Sequence, residues 1–262
     1  MQPSSTAPAP AFDPARLART YDAPGVQAQR RRTRELLGAR SGQLVLDLGC
    51  GPGHLTTELA ADLGADGRVV ALDRSPAMLE ATRSRAARQG VGGRCALAAA
   101  DATALPLADA ACDAAVVVQV LEYVPDVGGA LAELHRVLRP GGRAVLVDTD
   151  WRSCVWHTDD RDRTDRVLRA WEAHFVHPQL PASLVRLARE AGFGDVEVHA
   201  VPVVETETEQ DTYSLGMAAT IARFVGRSEP EQARAWREDV RAQAAAGTYF
   251  FALTRFATVL TR

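Results

Sequence analysis

The sequence contains no lysine; all thirty basic side chains are arginine. Schiff-base chemistry, pyridoxal phosphate attachment and the P-loop each require a lysine amine, so those enzyme classes are excluded. Cysteine is scarce too. Cys50, Cys95, Cys112 and Cys154 lie scattered with no C-x-x-C pair, so neither a disulfide framework nor a thiolate zinc site is expected, and a reducing cytosol fits. No stretch approaches the roughly eighteen apolar residues of a membrane span. A net charge of −3 argues against nucleic acid or an acidic membrane as partner. Residues 1–11 have neither a charged n-region nor an apolar h-region, and read as a loose tail.

What is present is 262 residues with 47% hydrophobic content, enough for one large α/β domain around a single substantial core. Residues 44–54, LVLDLGCGPGH, organise the rest. Apolar residues surround Asp47, glycines fall at 49, 51 and 53, and Leu55, Leu59 and Leu63 follow at helical spacing. This predicts a buried strand, a tight turn and a helix. Glycine there keeps the backbone open to a ligand and accepts positive φ without strain, and the amides at the helix start face a carboxylate or phosphate. The dinucleotide pattern G-x-G-x-x-G, begun at Gly49, would need a third glycine where His54 stands, which disfavours a nicotinamide-dependent reductase.

The pattern present is D-x-G-x-G-x-G, and VLDLGCGPG resembles motif I of the class I S-adenosylmethionine (SAM)-dependent methyltransferases. Later wording is similar to the ubiquinone/menaquinone-methyltransferase-like (type 11 methyltransferase domain) family: Asp101-Ala102 for its G-D-A, Leu105-Pro106-Leu107 and Cys112-Asp113 for its LPF…FD, and LRPGG at 138–142. The resemblance implies SAM as cofactor and S-adenosylhomocysteine as product. It places Asp47, Gly49, Cys50, Gly51 and Gly53 in the cofactor turn. Asp101 would accept from the adenine amino group beside Ala102, and Gln119 would reach the methionine end. Asp73, at the tip of the second strand 24 residues past Gly49, suits a ribose diol because one carboxylate accepts both hydroxyl protons. Arg74 adjoins it, and Met78 either lies by the adenine or packs. In the family an aromatic before motif I closes over the cofactor; Tyr21 is either that residue or an ordinary amphipathic contact.

Strand and helix alternate through five strands: 44–48, 68–73, 95–100, 114–120 and 143–148. Ser75-Pro76 opens one helix and Asp126 caps another. The fold class is therefore α/β with a doubly wound parallel sheet; the resemblance implies the Rossmann-like seven-stranded form, mostly parallel with an antiparallel last strand, plus a small helical cap. The organisation expected is a tail over 1–11, an N-terminal helical cap over 12–40, the SAM-binding domain over 41–204 with a substrate loop at 148–180, a helical cap insert over 205–247 and the final strand over 248–262. Ser183 is expected to cap a helix.

Ligands in such sheets bind beyond the carboxyl ends of the strands. Gln119-Val120-Leu121-Glu122-Tyr123 lines up with the family segment bordering methyl transfer. The loop past the fifth strand gathers Asp148, Asp150, Trp151, Trp156, His157, Asp159, Trp171, His174 and His177. It reads either as the acceptor pocket or as structure with hydrogen-bonded surface histidines. On the first reading Tyr123, Trp151, Trp156, Tyr213 and Met217 contact substrate, and His157, then His177, is the general base. His174, His177 and Asp159 match no recognised ligand pattern, so no metal is expected. The function expected is SAM-dependent methyl transfer to an O, N or C nucleophile of a small-molecule, secondary-metabolite acceptor by a cytoplasmic monomer or homodimer. A non-methylating cyclisation or decarboxylation on the same fold is the alternative.

Overall fold

The computed structural model describes residues 13–208 and 212–262; the expected tail at 1–11 lies outside them. Among the described residues, eight strands form one sheet. Parallel strands β1 (Leu44–Leu48), β2 (Arg68–Asp73), β3 (Cys95–Ala99), β4 (Cys112–Val118) and β5 (Leu138–Thr149) lie in the order β3-β2-β1-β4-β5. β8 (Phe251–Thr261) runs antiparallel between β5 and β7 (Asp195–Glu205). The strand absent from the sequence reading is β6, Val155–Trp156, too short for any periodicity; it pairs with the Phe251 end of β8, beyond the reach of β5. The sequence reading keeps LRPGG outside the expected fifth strand, 143–148. It lies inside β5 as a bulge, where the register jumps from Cys112↔Leu138 to Ala114↔Arg143.

The helices follow the punctuation of the sequence. Asp13 caps α1 (Pro14–Tyr21), Ser75 caps α4 (Pro76–Arg88) and Asp126 caps α5 (Val127–Val137). α2 (Pro24–Leu37) ends at Gly38 in the left-handed conformation. α3 (His54–Asp62) follows the glycine turn, and α6 (Arg161–Glu172) follows β6. The next helix, α7, starts at Pro181, so Ser183 is inside it and donates to the Leu180 carbonyl at 2.9 Å instead of capping. α8 (Tyr213–Val225) and α9 (Pro230–Ala246) form the insert before β8.

Leu46, Leu48, Val117 and Leu146 pack towards α5 and α7 on one sheet face, and Val45, Val116 and Val145 towards α2 and α3 on the other. A third cluster joins Trp151, Trp156 and Trp171 to Tyr213, Ile221, Trp236 and Phe251 and roofs the β4-β5-β8 end. No helix among the described residues is long and apolar enough to cross a membrane.

Candidate active site

β1 ends at Leu48, and the amides of Gly49 and Cys50 both donate to the Leu72 carbonyl, at 2.7 and 3.0 Å. Gly49, Gly51 and Gly53 all have positive φ, yet they do different work. A Cβ on Gly49 would strike the Val120 side chain, and one on Gly53 would lie 2.8 Å from Thr82. Those two glycines let strand and helices approach. Only at Gly51 is the space open, its nearest neighbours being Tyr21 at 3.9 Å and Leu17 at 4.0 Å. The ligand-clearance argument made from all three glycines therefore narrows to this one. The Cys50 thiol is buried with Ala71 and Leu79 and faces the Thr82 hydroxyl at 3.7 Å.

Asp73 ties the turn to the tip of β2. Its Oδ2 accepts from the Gly51 amide and its Oδ1 from the Ser75 amide, each at 2.9 Å, and a carboxylate keeps further lone pairs for a diol. Asp101 is exposed; the Thr103 hydroxyl (2.6 Å) and amide (2.9 Å) hold it below the usual carboxylate range. Ala102 and Met78 are buried and Arg74 is exposed. Asp47 lies deeper than the sequence reading placed it. It is buried, Thr56 of α3 donates to its Oδ2 at 2.5 Å, and burial pushes its pKa up to about 7.

Tyr21 closes the other side. Its ring meets His54 edge-on at 5.5 Å, and Arg30 donates to its carbonyl at 2.6 Å while pairing with Glu58 of α3 at 2.9 Å. Arg85 donates to His54 Nε2 at 2.5 Å; burial, then Arg85 and Arg30, push the His54 pKa down to about 4. Burial pushes the Tyr21 hydroxyl up to about 12, against the pull of Arg255, while Tyr213, Asp73 and Glu122 add to the rise. One phenol thus stands between Asp73 and the cap.

At the tip of β4, Gln119 has a left-handed backbone, φ 55°. Its Oε1 accepts from the Thr149 hydroxyl at 3.0 Å, and its Nε2 is buried without an acceptor. Beside it the Glu122 amide donates to Asp148 Oδ1 at 3.4 Å, and the Trp151 indole donates to Glu122 Oε2 at 3.0 Å. Asp148 Oδ2 is buried with no donor. Burial pushes Asp148 up to about 7; burial first and Asp148 second drive Glu122 well above its usual value. Two carboxyls so placed share a proton, because both cannot ionise in one apolar site.

In the cap, Arg255 donates to Gln29 Oε1 and, at 2.5 Å, to the Tyr213 hydroxyl, with its guanidinium 4.8 Å above the Tyr213 ring. Tyr213 in turn donates to Met217 Sδ at 3.3 Å. Trp151 stacks on Phe175 at 4.6 Å, and the Tyr123 ring lies 5.3 Å from Phe175. Tyr123, Trp151, Tyr213 and Met217 thus gather about one region. Trp156 does not: its indole donates to Tyr249 at 2.9 Å and it packs on Trp236 and Phe251 in the cap core.

Neither expected base is placed to act. His157 is exposed, and its amide donates to the Phe250 carbonyl at the far end of β8. That is five residues, roughly 17 Å of strand, from Arg255, the partner of the β5 tip. His177 braces Glu122 through its backbone amide, and its ring turns to the Pro125 carbonyl at 3.3 Å. His174 stacks on Trp171 at 4.3 Å, Asp159 accepts from Gln243, and among the described residues no three metal-ligating side chains cluster. Of the groups that do converge, Asp148 was visible to sequence reading only as a member of a rich segment and Glu122 only as part of the 119–123 stretch, and Arg255 and Gln29 were missed. The available signal was alternation: Phe251, Leu253, Arg255 and Ala257 share the buried side of β8.

The residues fit an adenosyl sulfonium on two observations, the clearance over Gly51 beneath Tyr21 and the orphaned buried amide of Gln119. Comparisons agree. Residues 46–146 match the family described as Methyltransferase domain. An uncharacterized 37.1 kDa protein in transposon TN4556 of Streptomyces fradiae is 33% identical over 232 residues, covering 86% of this chain and 64% of that protein. The ubiquinone/menaquinone biosynthesis C-methyltransferase UbiE of Marinomonas sp. is 36% identical over 119 residues, covering 45% of this chain and 47% of its own. The chain thus spans about half to two thirds of the length of these relatives. The YcgJ protein from Bacillus subtilis shares the fold, with a TM-score of 0.63 at 16% identity over 90% of this chain and 98% of that one. Over residues 46–146, then, the chain carries a methyltransferase domain, and there it is similar to the ubiquinone/menaquinone C-methyltransferases.

Proposed function

We propose that the chain transfers a methyl group from SAM to an O, N or C nucleophile of a small, aromatic-faced metabolite, with Asp148 as the proton acceptor. The observation that carries this reading is the unpaired, buried Asp148 Oδ2 at the tip of β5, one strand from the orphaned Gln119 amide. A pKa of about 7 suits a general base, which works best near the ambient pH. When bound, SAM supplies an electrophilic methyl carbon: the acceptor lone pair forms the new bond as the carbon–sulfur pair passes to sulfur, leaving S-adenosylhomocysteine. Asp148 takes the proton the acceptor loses, and Glu122, protonated and held by Trp151, keeps the second charge out of the site. Asp73, fixed by the Gly51 amide, holds the nucleoside over the open face of Gly51, and Tyr21 excludes water from above.

The test incubates the protein with SAM and a panel of phenols, amines and activated-methylene compounds, reading methylated product and S-adenosylhomocysteine by mass spectrometry. Stoichiometric appearance of both is expected, with calorimetric heat from SAM and none from NAD(H). A panel that fails throughout while transfer RNA or protein is methylated overturns the small-molecule reading. Conversion without S-adenosylhomocysteine overturns methyl transfer in favour of cyclisation or decarboxylation.

A further inference from the structure

Arg255 is a buried guanidinium with no carboxylate in ion-pair contact among the described residues. Its Nη atoms donate to two neutral oxygens, Gln29 Oε1 and Tyr213 Oη, and its Nε–H is buried with no acceptor at all. A buried charge is strongly unfavourable unless it is paired, and each unmade bond adds to that. The carboxyl in its neighbourhood, Glu122, makes no ion pair with it and is pushed towards its neutral form by burial and by Asp148.

The position of the side chain matters as much as its charge. Arg255 is the antiparallel partner of Thr149, and the Thr149 hydroxyl is the donor to Gln119 Oε1. Directly opposed residues of an antiparallel pair share a face, so Arg255, Thr149 and Gln119 stand in a row across β8, β5 and β4. Two strand spacings, roughly 10 Å, separate the ends of that row, a span that a one- or two-ring aromatic acid bridges. Gln29 of α2 accepts from Arg255, and its neighbour Arg30 donates to the carbonyl of Tyr21, whose ring is the nearest neighbour over Gly51, so α2 links the row to the glycine turn.

We propose that Arg255 is the anion subsite of the acceptor pocket and that the acceptor carries a carboxylate, held by the Arg255 fork while its nucleophile sits at the Gln119 end. Planar guanidinium suits this task, since its donors match carboxylate geometry. The Tyr213 ring, the Trp151–Phe175 stack and Tyr123 supply the flat walls. This inference rests on the methyltransferase reading above and narrows its substrate class.

The probes are 4-hydroxybenzoate and 1-hydroxy-2-naphthoate against their methyl esters, titrated calorimetrically into protein saturated with S-adenosylhomocysteine. At least one acid is expected to bind about tenfold or more tightly than its ester, the scale of one charge-assisted pair. In Arg255→Gln the preference is expected to fall below about threefold, with S-adenosylhomocysteine affinity unchanged; in Arg255→Lys, which keeps the charge and loses the fork, it should fall between. Absence of acid binding, a wild-type ratio near one, or an acid preference that survives Arg255→Gln overturns the proposal and leaves Arg255 a strut between α2, β8 and α8. If Arg255→Gln does not retain S-adenosylhomocysteine, the ratio in Arg255→Lys decides, a value equal to wild type overturning it. Wild-type protein that binds no S-adenosylhomocysteine would instead strike the underlying reading.

Discussion

Gly51 and Arg255 mark the two sides of the proposed site, and the two sides are made differently. Around Gly51 the ligand-facing surface is mostly backbone: a turn of three positive-φ glycines, amides tied to Leu72 and Asp73, and close packing enforced by Val120 and Thr82. Around Arg255 it is side chains drawn from distant parts of the chain, Gln29 from α2, Tyr213 from α8 and Glu122 from the end of β4. The first arrangement binds any ligand with the right skeleton and tolerates little change. The second can be altered residue by residue without disturbing the first, which is how one scaffold accepts many acceptors.

That contrast can be broken by experiment. The largest effect is expected from Asp148→Asn, which should lower kcat by about 10³-fold, the scale of a positioned base, while SAM affinity stays within a few fold. In wild type the rate should rise with pH through about 7, as Asp148 loses its proton, and that limb should vanish in the variant. Gly53→Ala should follow. A Cβ 2.8 Å from Thr82 and a residue held at φ 82° together predict a loss of about 3 kcal/mol in urea unfolding, with SAM binding lost alongside. Asp73→Ala should weaken SAM binding roughly 30-fold by calorimetry, since the Gly51 and Ser75 amides lose their acceptor as well as the diol losing its own.

A smaller effect concerns the cofactor side as pH falls. His54 has a folded pKa of about 4, below its ordinary 6.5, so the stability it contributes as a neutral ring is complete above about 6.5 and is lost progressively as pH falls towards 4. A drop of about 2 kcal/mol across that window is expected in thermal melts, and His54→Gln should flatten it. His157→Ala should change kcat by less than about twofold, because the ring is exposed at the far end of β8. A large loss there would restore a histidine base and erase the assignment to Asp148.

The same contrast explains what could be read from the chain alone. The glycine turn, the Asp73 tip and the capped helices are written in neighbouring residues, where spacing and cap chemistry decide the conformation, while the antiparallel last strand comes from the family resemblance. Arg255 becomes meaningful only once β8 is laid beside β5 and Gln29 of α2 is brought across, 226 residues away in sequence. His157 misled for the related reason that β6 carries it along the extension of β8, a pairing of two residues that leaves no periodic trace. Trp156, its neighbour in the chain, turns the other way, into the cap core.

The placement of β8 also bears on how the molecule is made. β5 and β7 both leave the ribosome before the strand that must lie between them, so neither can complete its hydrogen bonds on that side until β8 has been synthesised. The glycine-turn half has all its strands early and can consolidate first. Until the late strand inserts, the β5 edge stands open to other chains, and crowded expression at high temperature would expose that interval as aggregation before any loss of the finished fold.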